Sequence, residues 1–414
     1  MKYNAAIIGG GPAGIMAAGR AGELGARVVL IEKNKNLGTK LLITGKGRCN
    51  ITNLKDKPRD FINKFGKNGE FLFSAFSRFG NKETINFFEK LGVKTKVERG
   101  GRVLPVSDKS QDVTEALIDY LRRGKVKIEL NSEVKKLVKK NNRIEKIILA
   151  DNEEITADKF IVTTGGKSYS KTGSTGDGYK WAKELGHTIT GLSPALTPVI
   201  VKEKVVKELE GLSLKNVEIG VFKDNKKIAS RFGEAMFTAD GMSGPIILDM
   251  AKTIGKELPG NVKIKLDFKP ALDFSKLDQR IQRDFQRDSK KMFKNSLDEL
   301  LPRKLIPVIV KLSKIEPKKK SNFITKEERK RLSHLLKEFT LEIKGVGGYD
   351  KAIITAGGIK LSEIDQKTMR SNLIDNLYFA GEILDLDGPT GGYNLQVCWT
   401  TGYVAGESVV KNCS

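Results

Sequence analysis

The sequence predicts an α/β fold, a parallel-sheet domain interrupted by an inserted β block and then by a helical block. Three observations carry that prediction. Residues 5–31 read strand, helix, strand over about 30 residues, the length of a right-handed crossover unit. Apolar residues alternate with polar ones between 191 and 270, and recur at helical spacing between 271 and 344. Strand-and-turn character returns over 345–414, so the first domain is left and re-entered. With 414 residues, 39 % of them hydrophobic, the chain can build more than one core, which excludes a disordered or fibrous protein.

Ala5–Ile8 is a short apolar strand, followed by a Gly-rich turn and an Ala-rich helical stretch to about Leu24. Arg27–Ile31 is a second buried strand, and further strands are expected at Val126–Leu130, Ile144–Leu149 and Phe160–Thr163. These fill residues 1–190, the first part of the domain. In the block 191–270, Val217, Ile219 and Val221 alternate with polar partners, as do Val262, Ile264, Leu266 and Phe268, the mark of half-buried antiparallel strands. In the block 271–344, Leu277, Ile281 and Phe285 share a helix face. Thr325 and Glu328 form a capping box ahead of Leu332, Leu335, Leu336 and Phe339. Ile353–Ile354 and Leu377–Ala380 are strand-like again.

Gly9, Gly11 and Gly14 fit G-x-G-x-x-G directly after a strand and at the opening of a helix. Gly9 permits the tight turn, Gly11 lets the backbone approach a pyrophosphate, and Gly14 lets helix and strand pack closely. With Pro12 and Ala13, they place the amides and the positive dipole end of a helix N-terminus beside the phosphates. Glu32, with Lys33 after it, ends the second strand where a ribose hydroxyl pair is held, and its charge disfavours a 2′-phosphate. The pattern is that of a Rossmann-like domain binding FAD or NAD.

Composition narrows the chemistry. Cys49, Cys398 and Cys413 form no C-x-x-C pair, which removes a disulfide framework and a dithiol relay and fits a reducing cytoplasm. Two histidines, His187 and His334, cannot build a multi-histidine metal site, and no metal is expected. Cys49 and Cys398 read as packed residues, His187 as a helix C-terminal cap and His334 as a surface residue. The start of the chain reads as a strand and not a leader, and no apolar run reaches the roughly 18 residues of a membrane span. Net charge is +24. Because acidic residues are interspersed with the lysines, a solvated lysine-rich surface is expected and nucleic acid is not the expected partner. The helical block is the most basic, with 19 Lys or Arg against 10 Asp or Glu over 271–340, including the run Lys318–Lys320.

Lys40-Leu41-Leu42-Ile43-Thr44-Gly45-Lys46-Gly47-Arg48-Cys49-Asn50-Ile51-Thr52-Asn53 resembles the signature loop of the BaiN-like, or aminoacetone-oxidase-type, bacterial FAD flavoproteins. The resemblance continues through Thr163-Thr164-Gly165-Gly166, Gly173–Gly178, Gly241–Pro245, Leu377–Glu382 and Gly391–Gln396, and so covers nearly the whole chain. Where that family often has His, this chain has Ala239. The family implies an FAD domain interrupted by a β-barrel and a helical subdomain. It implies that Lys40, Thr44, Gly45, Gly47, Arg48, Cys49 and Asn50 run beside the pyrophosphate and flavin, and that the Val134 backbone meets the adenine. It places Thr164 and Gly165 at the cofactor, and Gly381 with Glu382 at the ribityl chain. It aims Gly391, Gly392, Tyr393, Asn394 and Leu395, opening a final helix, at the flavin pyrimidine edge. The Thr163–Gly166 and Thr175–Gly178 segments also resemble the wider fumarate-reductase superfamily, whose chemistry is at carbon–carbon bonds.

Flavin chemistry suits a chain with so little histidine, since hydride transfer needs orientation more than a relay base. The expected function is reduction of an activated C=C bond, of enone or oxo-steroid type, in a small molecule, with NADH or NADPH as transient donor. The alternatives are an oxidase of a small amine such as aminoacetone and an RNA-acting flavoprotein. Arg48, Tyr169 and Tyr393 are the candidate proton donors or substrate anchors.

Overall fold

Ala5–Ile8 and Val28–Ile31 are apolar at every position, which suits strands covered on both faces. In the computed structural model, which describes residues 2–411, they lie in strands β1 (Tyr3–Ile8) and β2 (Val28–Ile31), paired in parallel with Ala5 opposite Val28 and Ile8 opposite Ile31. Helix α1 (Pro12–Glu23) makes the crossover between them. The sheet has five parallel strands in the spatial order Leu377–Phe379, Ala157–Val162, β1, β2, Lys127–Glu129. The strand order steps outward in both directions from β1, so the ends of β1 and of Ala157–Val162 form a switch point, where α/β sheets bind ligands.

The last helix, Tyr393–Lys411, lies along α1 with the two backbones close. A Cβ on Gly402 would stand 2.5 Å from the Ala13 carbonyl oxygen, and one on Gly406 would stand 2.3 Å from that of Ala17. On the same helix Trp399 is fully buried and donates its indole N–H to the Ile51 carbonyl at 2.9 Å.

The chain forms two compact units, Met1–Ala195 with Tyr349–Ser414, and Leu196–Gly348. The Rossmann-type fold with an inserted segment is as expected. The internal division differs. Residues 191–270 and 271–344 read as two inserts, but the second unit has one hydrophobic core that runs from Val199 through Phe293 and Leu332 to Ile343. Its closed six-stranded barrel has the order Val199–Val201, Gly241–Ser243, Lys226–Thr238, Ser213–Lys223, Val262–Asp267, Phe339–Val346. The helices Phe274–Arg287, Ile306–Ser313 and Lys326–Lys337 enter between the last two barrel strands in the chain. Phe339 therefore starts a strand and does not extend a helix. It satisfies both periods, three residues after Leu336 and two before Leu341, and the helix stops at Lys337.

Ile144–Leu149 is a strand, as expected. It falls in an antiparallel three-stranded sheet with Val134–Lys140 and Glu154–Ile155, outside the parallel sheet. The Thr325–Glu328 capping box forms as read, with both reciprocal hydrogen bonds present. No described helix is long and apolar enough to cross a membrane.

Candidate functional site

The Gly-rich turn is held from three sides. Gly9, at φ +107°, donates its N–H to Ile31, and Thr163 Oγ1 donates to the Ile8 and Gly9 carbonyls at 2.9 Å. Glu32 Oε2 accepts the Gly10 N–H at 2.6 Å, and Oε1 accepts that of Asn34 at 2.8 Å. Glu32 thus braces the loop itself and keeps lone pairs for a ribose hydroxyl. A Cβ on Gly14 would stand 1.9 Å from the Gly9 carbonyl oxygen, so Gly14 is needed for packing. Gly11 is different. A Cβ there would meet nothing within 4 Å, although no side chain caps α1 and no acidic residue lies in its first turn. The space over Gly11 faces uncapped amides and an unneutralised helix end, which suits an anion.

Sequence-distant motifs meet around this turn. The Asn131 and Ser132 amides donate to the Asn34 and Glu32 carbonyls, which brings Val134 to the acidic end of β2. Lys33 Nζ donates to Thr175 Oγ1 at 2.6 Å and Asp177 Oδ2 at 2.7 Å, tying the Gly173–Gly178 turn to the same strand end. Burial works against the Asp177 carboxylate, but the hydrogen bonds from Lys33 and Thr175 hold its pKa below the ordinary value. Gly381 lies against Ala13, and Lys40 Nζ reaches the neighbouring Glu382 at 2.8 Å. Glu382 Oε1 accepts the Thr355 N–H at 2.9 Å.

The signature loop and the last helix form the other side. Gly392 is pressed onto the Thr52 carbonyl, where a Cβ would stand 2.4 Å away. Asn53 donates to the Gly391 carbonyl at 2.9 Å and accepts from the Tyr393 hydroxyl at 3.1 Å. Asn394 is spent on its own turn, bonding the Gly388 N–H and carbonyl. Leu395 is half-buried. Asn50 Oδ1, Thr52 Oγ1 and Thr164 Oγ1 are buried with no partner. These orphaned polar atoms, with the open space at Gly11, fit a polar dinucleotide such as FAD.

The three candidate proton donors separate. Arg48 is committed to carboxylates, with Glu98 at 2.5 Å and Asp108 at 2.6 Å, and these bonds raise its pKa. Tyr393 is a satisfied core residue, stacked 4.8 Å from Phe61. Tyr169 is half-buried at a left-handed turn of φ +53°, its N–H bonded to the Tyr349 carbonyl. Cys49 is fully buried and burial pushes its thiol up to about 12, which fits a packed residue. Cys398 is half-buried, also with a pKa of about 12, raised by burial and then by Glu382. Cys413 lies outside the described residues. Among the described residues no group of three His, Cys, Asp or Glu could hold a metal.

Thr355 was missed by sequence reading. Its hydroxyl meets Ser168 at 2.9 Å and accepts the Lys167 N–H at 2.8 Å, so it joins the Gly165–Gly166 turn to Glu382. The signal was Thr355-Ala356-Gly357-Gly358, a strand end running into paired glycines like Thr163–Gly166.

His187 closes the helix Asp177–Glu184 as expected, its N–H donating to the Ala182 carbonyl at 2.9 Å after Gly186 at φ +99°, and its side chain does more. It is buried, with Nε2 at 2.9 Å from Ser371 Oγ and Nδ1 at 3.2 Å from Glu363. Ser371 Oγ already accepts the Leu373 and Ile374 amides, so its proton goes to Nε2 and Nδ1–H faces Glu363. Burial lowers the His187 pKa, outweighing Glu363. A base with a depressed folded pKa stabilises the fold above its unfolded pKa and loses that contribution as pH falls. We expect melting temperature to fall between about pH 7 and 5, and less steeply in His187→Asn. Equal slopes in the two proteins would exclude this residue as the cause. His334 is exposed, as expected.

Comparison with known proteins agrees with the Rossmann-type fold. The family model described as HI0933-like protein Rossmann domain matches residues 3–408. A 3-dehydro-bile acid delta(4,6)-reductase of Clostridium scindens is 34 % identical over 98 % of both chains. A ribosomal RNA dihydrouridine synthase of Escherichia coli is 27 % identical over 99 % of this chain and 98 % of that one. In fold, the 3-ketosteroid delta1-dehydrogenase of Sterolibacterium denitrificans matches with a TM-score of 0.56, at 12 % identity, over 99 % of this chain and 100 % of that one.

Proposed function

The chain belongs to the HI0933-like Rossmann family, and from that premise we propose that it is an FAD-dependent reductase of a C=C bond conjugated to a carbonyl, supplied with electrons by NADH or NADPH. The cradle over Gly11 carries the cofactor reading, because neither packing nor backbone strain demands glycine there. FAD, when bound, supplies hydride transfer to and from carbon. The α1 amides face the phosphates, Glu32 accepts a ribose hydroxyl, and the Val134 backbone borders the adenine. Asn50 and Thr164 supply polar atoms that lack partners in the chain itself. Lys40 holds Glu382 oriented at the ribityl side. The amides that open the last helix face the flavin ring and stabilise negative charge there.

Relatives support the bond type. A delta(4,6)-reductase of a 3-oxo bile acid and a dihydrouridine synthase both describe saturation of a C=C bond conjugated to a carbonyl. A small enone or oxo-steroid is the first substrate class. A uracil ring within RNA is a second reading, favoured by the net charge of +24.

The test is anaerobic mixing of the purified flavin-loaded protein with NADH and then NADPH, followed by an enone or a uridine-containing RNA. Bleaching of the yellow band by a nucleotide, and its return on adding an acceptor with formation of the saturated product, is expected. A protein that stays yellow with both nucleotides but bleaches with a small amine would overturn the reductase reading.

A further inference from the structure

The run Lys318–Lys320 has no part in the dinucleotide site, and its surroundings in the second unit are specific. Two loops pair there. Met292 and Lys320 form an antiparallel bridge, the Phe293 amide donates to the Lys319 carbonyl at 2.8 Å, and that of Ser321 donates to Lys291 at 3.0 Å. Phe293 is fully buried beneath them and anchors the pair to the core. The platform presents Lys290, Lys294, Lys318 and Lys320, all exposed. Phe323, 64 % exposed, and Met292, 42 % exposed, stand among them.

Two nearby carboxylates are already paired with other lysines. Asp288 pairs with Lys291 at 3.0 Å, and Glu328 with Lys319 at 2.8 Å. Glu316 accepts the Lys318 amide at 3.4 Å. The four exposed lysines make no ion pair among the described residues. An ordinary solvated lysine surface does not require an exposed phenylalanine on a hydrogen-bonded platform. Cations that follow a backbone, with an aromatic ring to stack on, are what a single strand of nucleic acid needs.

We infer that this platform is a docking surface for single-stranded RNA, an inference that rests on the second substrate reading, a uracil within RNA. The lysines contact phosphates and Phe323 stacks on a base. The test compares the full-length, flavin-loaded protein with three variants, using a uridine-rich RNA oligonucleotide over a range of salt. The first variant changes Lys290, Lys294, Lys318 and Lys320 to Glu. The second is Phe323→Ala. The third makes the same charge change elsewhere, at the exposed Lys135, Lys136, Lys139 and Lys140.

Each lost phosphate contact should flatten the log–log salt slope by about 0.7 in the first variant. Phe323→Ala should weaken binding roughly five- to hundredfold, with the slope unchanged. The third variant should retain most of the affinity. Equal losses in the first and third variants, with Phe323→Ala unaffected, would overturn the surface and leave only general charge. So would failure of the unaltered protein to bind RNA, or equal loss of binding to anionic vesicles. Assaying the same RNA for dihydrouridine separates the two claims. Product formed equally by the first variant keeps the RNA reading and removes the surface. Platform-dependent binding without product keeps the surface and removes the RNA reading. Retained flavin content confirms that each variant is folded.

Discussion

Replacing Gly11 with alanine is expected to leave a folded protein that no longer holds flavin. Gly11 has φ −81°, a backbone that any residue adopts, and a Cβ there meets no protein atom within 4 Å. The cost to the chain is that of a poorer helix N-cap, about 0.5–1 kcal/mol. That corresponds to a fall in Tm of about 1–4 °C for a unit of this size. The methyl group fills the space over the helix amides, where overpacking of about 3 kcal/mol would weaken flavin binding roughly a hundredfold. Gly14→Ala should behave differently. Its Cβ would stand 1.9 Å from the Gly9 carbonyl oxygen and 2.6 Å from Thr163 Oγ1, so the turn must move. The expected cost is about 3 kcal/mol or more, a Tm loss of roughly 6–12 °C, with flavin lost as well. Flavin-to-protein absorbance after gel filtration and calorimetric Tm separate the two outcomes. Stoichiometric flavin in Gly11→Ala would remove the cradle. A Tm loss equal to that of Gly14→Ala would make Gly11 a packing residue.

The contrast explains how much of the site could be read from sequence. The first crossover was legible because its constraints are local: strand, turn, helix and acidic strand end lie within 32 residues. The motif separates Gly11, for approach to a ligand, from Gly14, for packing, and the neighbouring atoms differ in the same way, with open space over Gly11 and the Gly9 carbonyl against Gly14. The Lys33–Asp177, Lys40–Glu382 and Asn53–Tyr393 contacts bridge 144, 342 and 340 residues, so no local pattern encodes them. Arg48 illustrates the same limit. A guanidinium in a cofactor loop invites a binding role, yet Glu98 and Asp108, from a distant hairpin and turn, occupy its donors.

Sheet membership is not local either. Ile144–Leu149 has the right residues for a strand, but partner choice depends on Val134–Lys140, whose inward Val134 and Leu137 are separated by exposed lysines. A strand with one solvated face suits an antiparallel sheet better than a doubly covered parallel one. The barrel was read without its last strand because Phe339 satisfies two periods, and 71 residues of chain separate the start of that strand from the end of its neighbour.

Gly402 and Gly406 carry the second large expected effect. They occur four residues apart on the last helix, so they share one face, and that face touches the α1 backbone at Ala13 and Ala17. Gly406→Leu would drive a branched side chain into a carbonyl oxygen only 2.3 Å from where its Cβ begins. Neither helix can retreat cheaply. Trp399 is fixed to Ile51, and Glu407 is bonded by Arg20 of α1, Arg78 and Lys411. Burial opposes the Glu407 charge, but those cations hold its carboxyl at about 2. The network therefore stays ionised through any ordinary assay pH. We expect Gly406→Leu to cost about 3–5 kcal/mol and lower Tm by roughly 6–20 °C. Because Ala13 belongs to the dinucleotide turn, Gly402→Leu should release flavin in the same step. Gly255→Ala is the control. It also lies in a helix, Pro245–Lys256, but a Cβ there finds its nearest neighbour at 3.7 Å. That substitution should stabilise by about 0.4–1 kcal/mol, since helix propensity favours alanine. Opposite signs at the two sites would show that close approach of the two backbones, and not glycine's helix propensity, sets the requirement at 402 and 406. A Gly406→Leu protein with unchanged Tm would mean that the two helices can separate without loss, and that the turn at Gly9–Gly14 is held by the sheet alone.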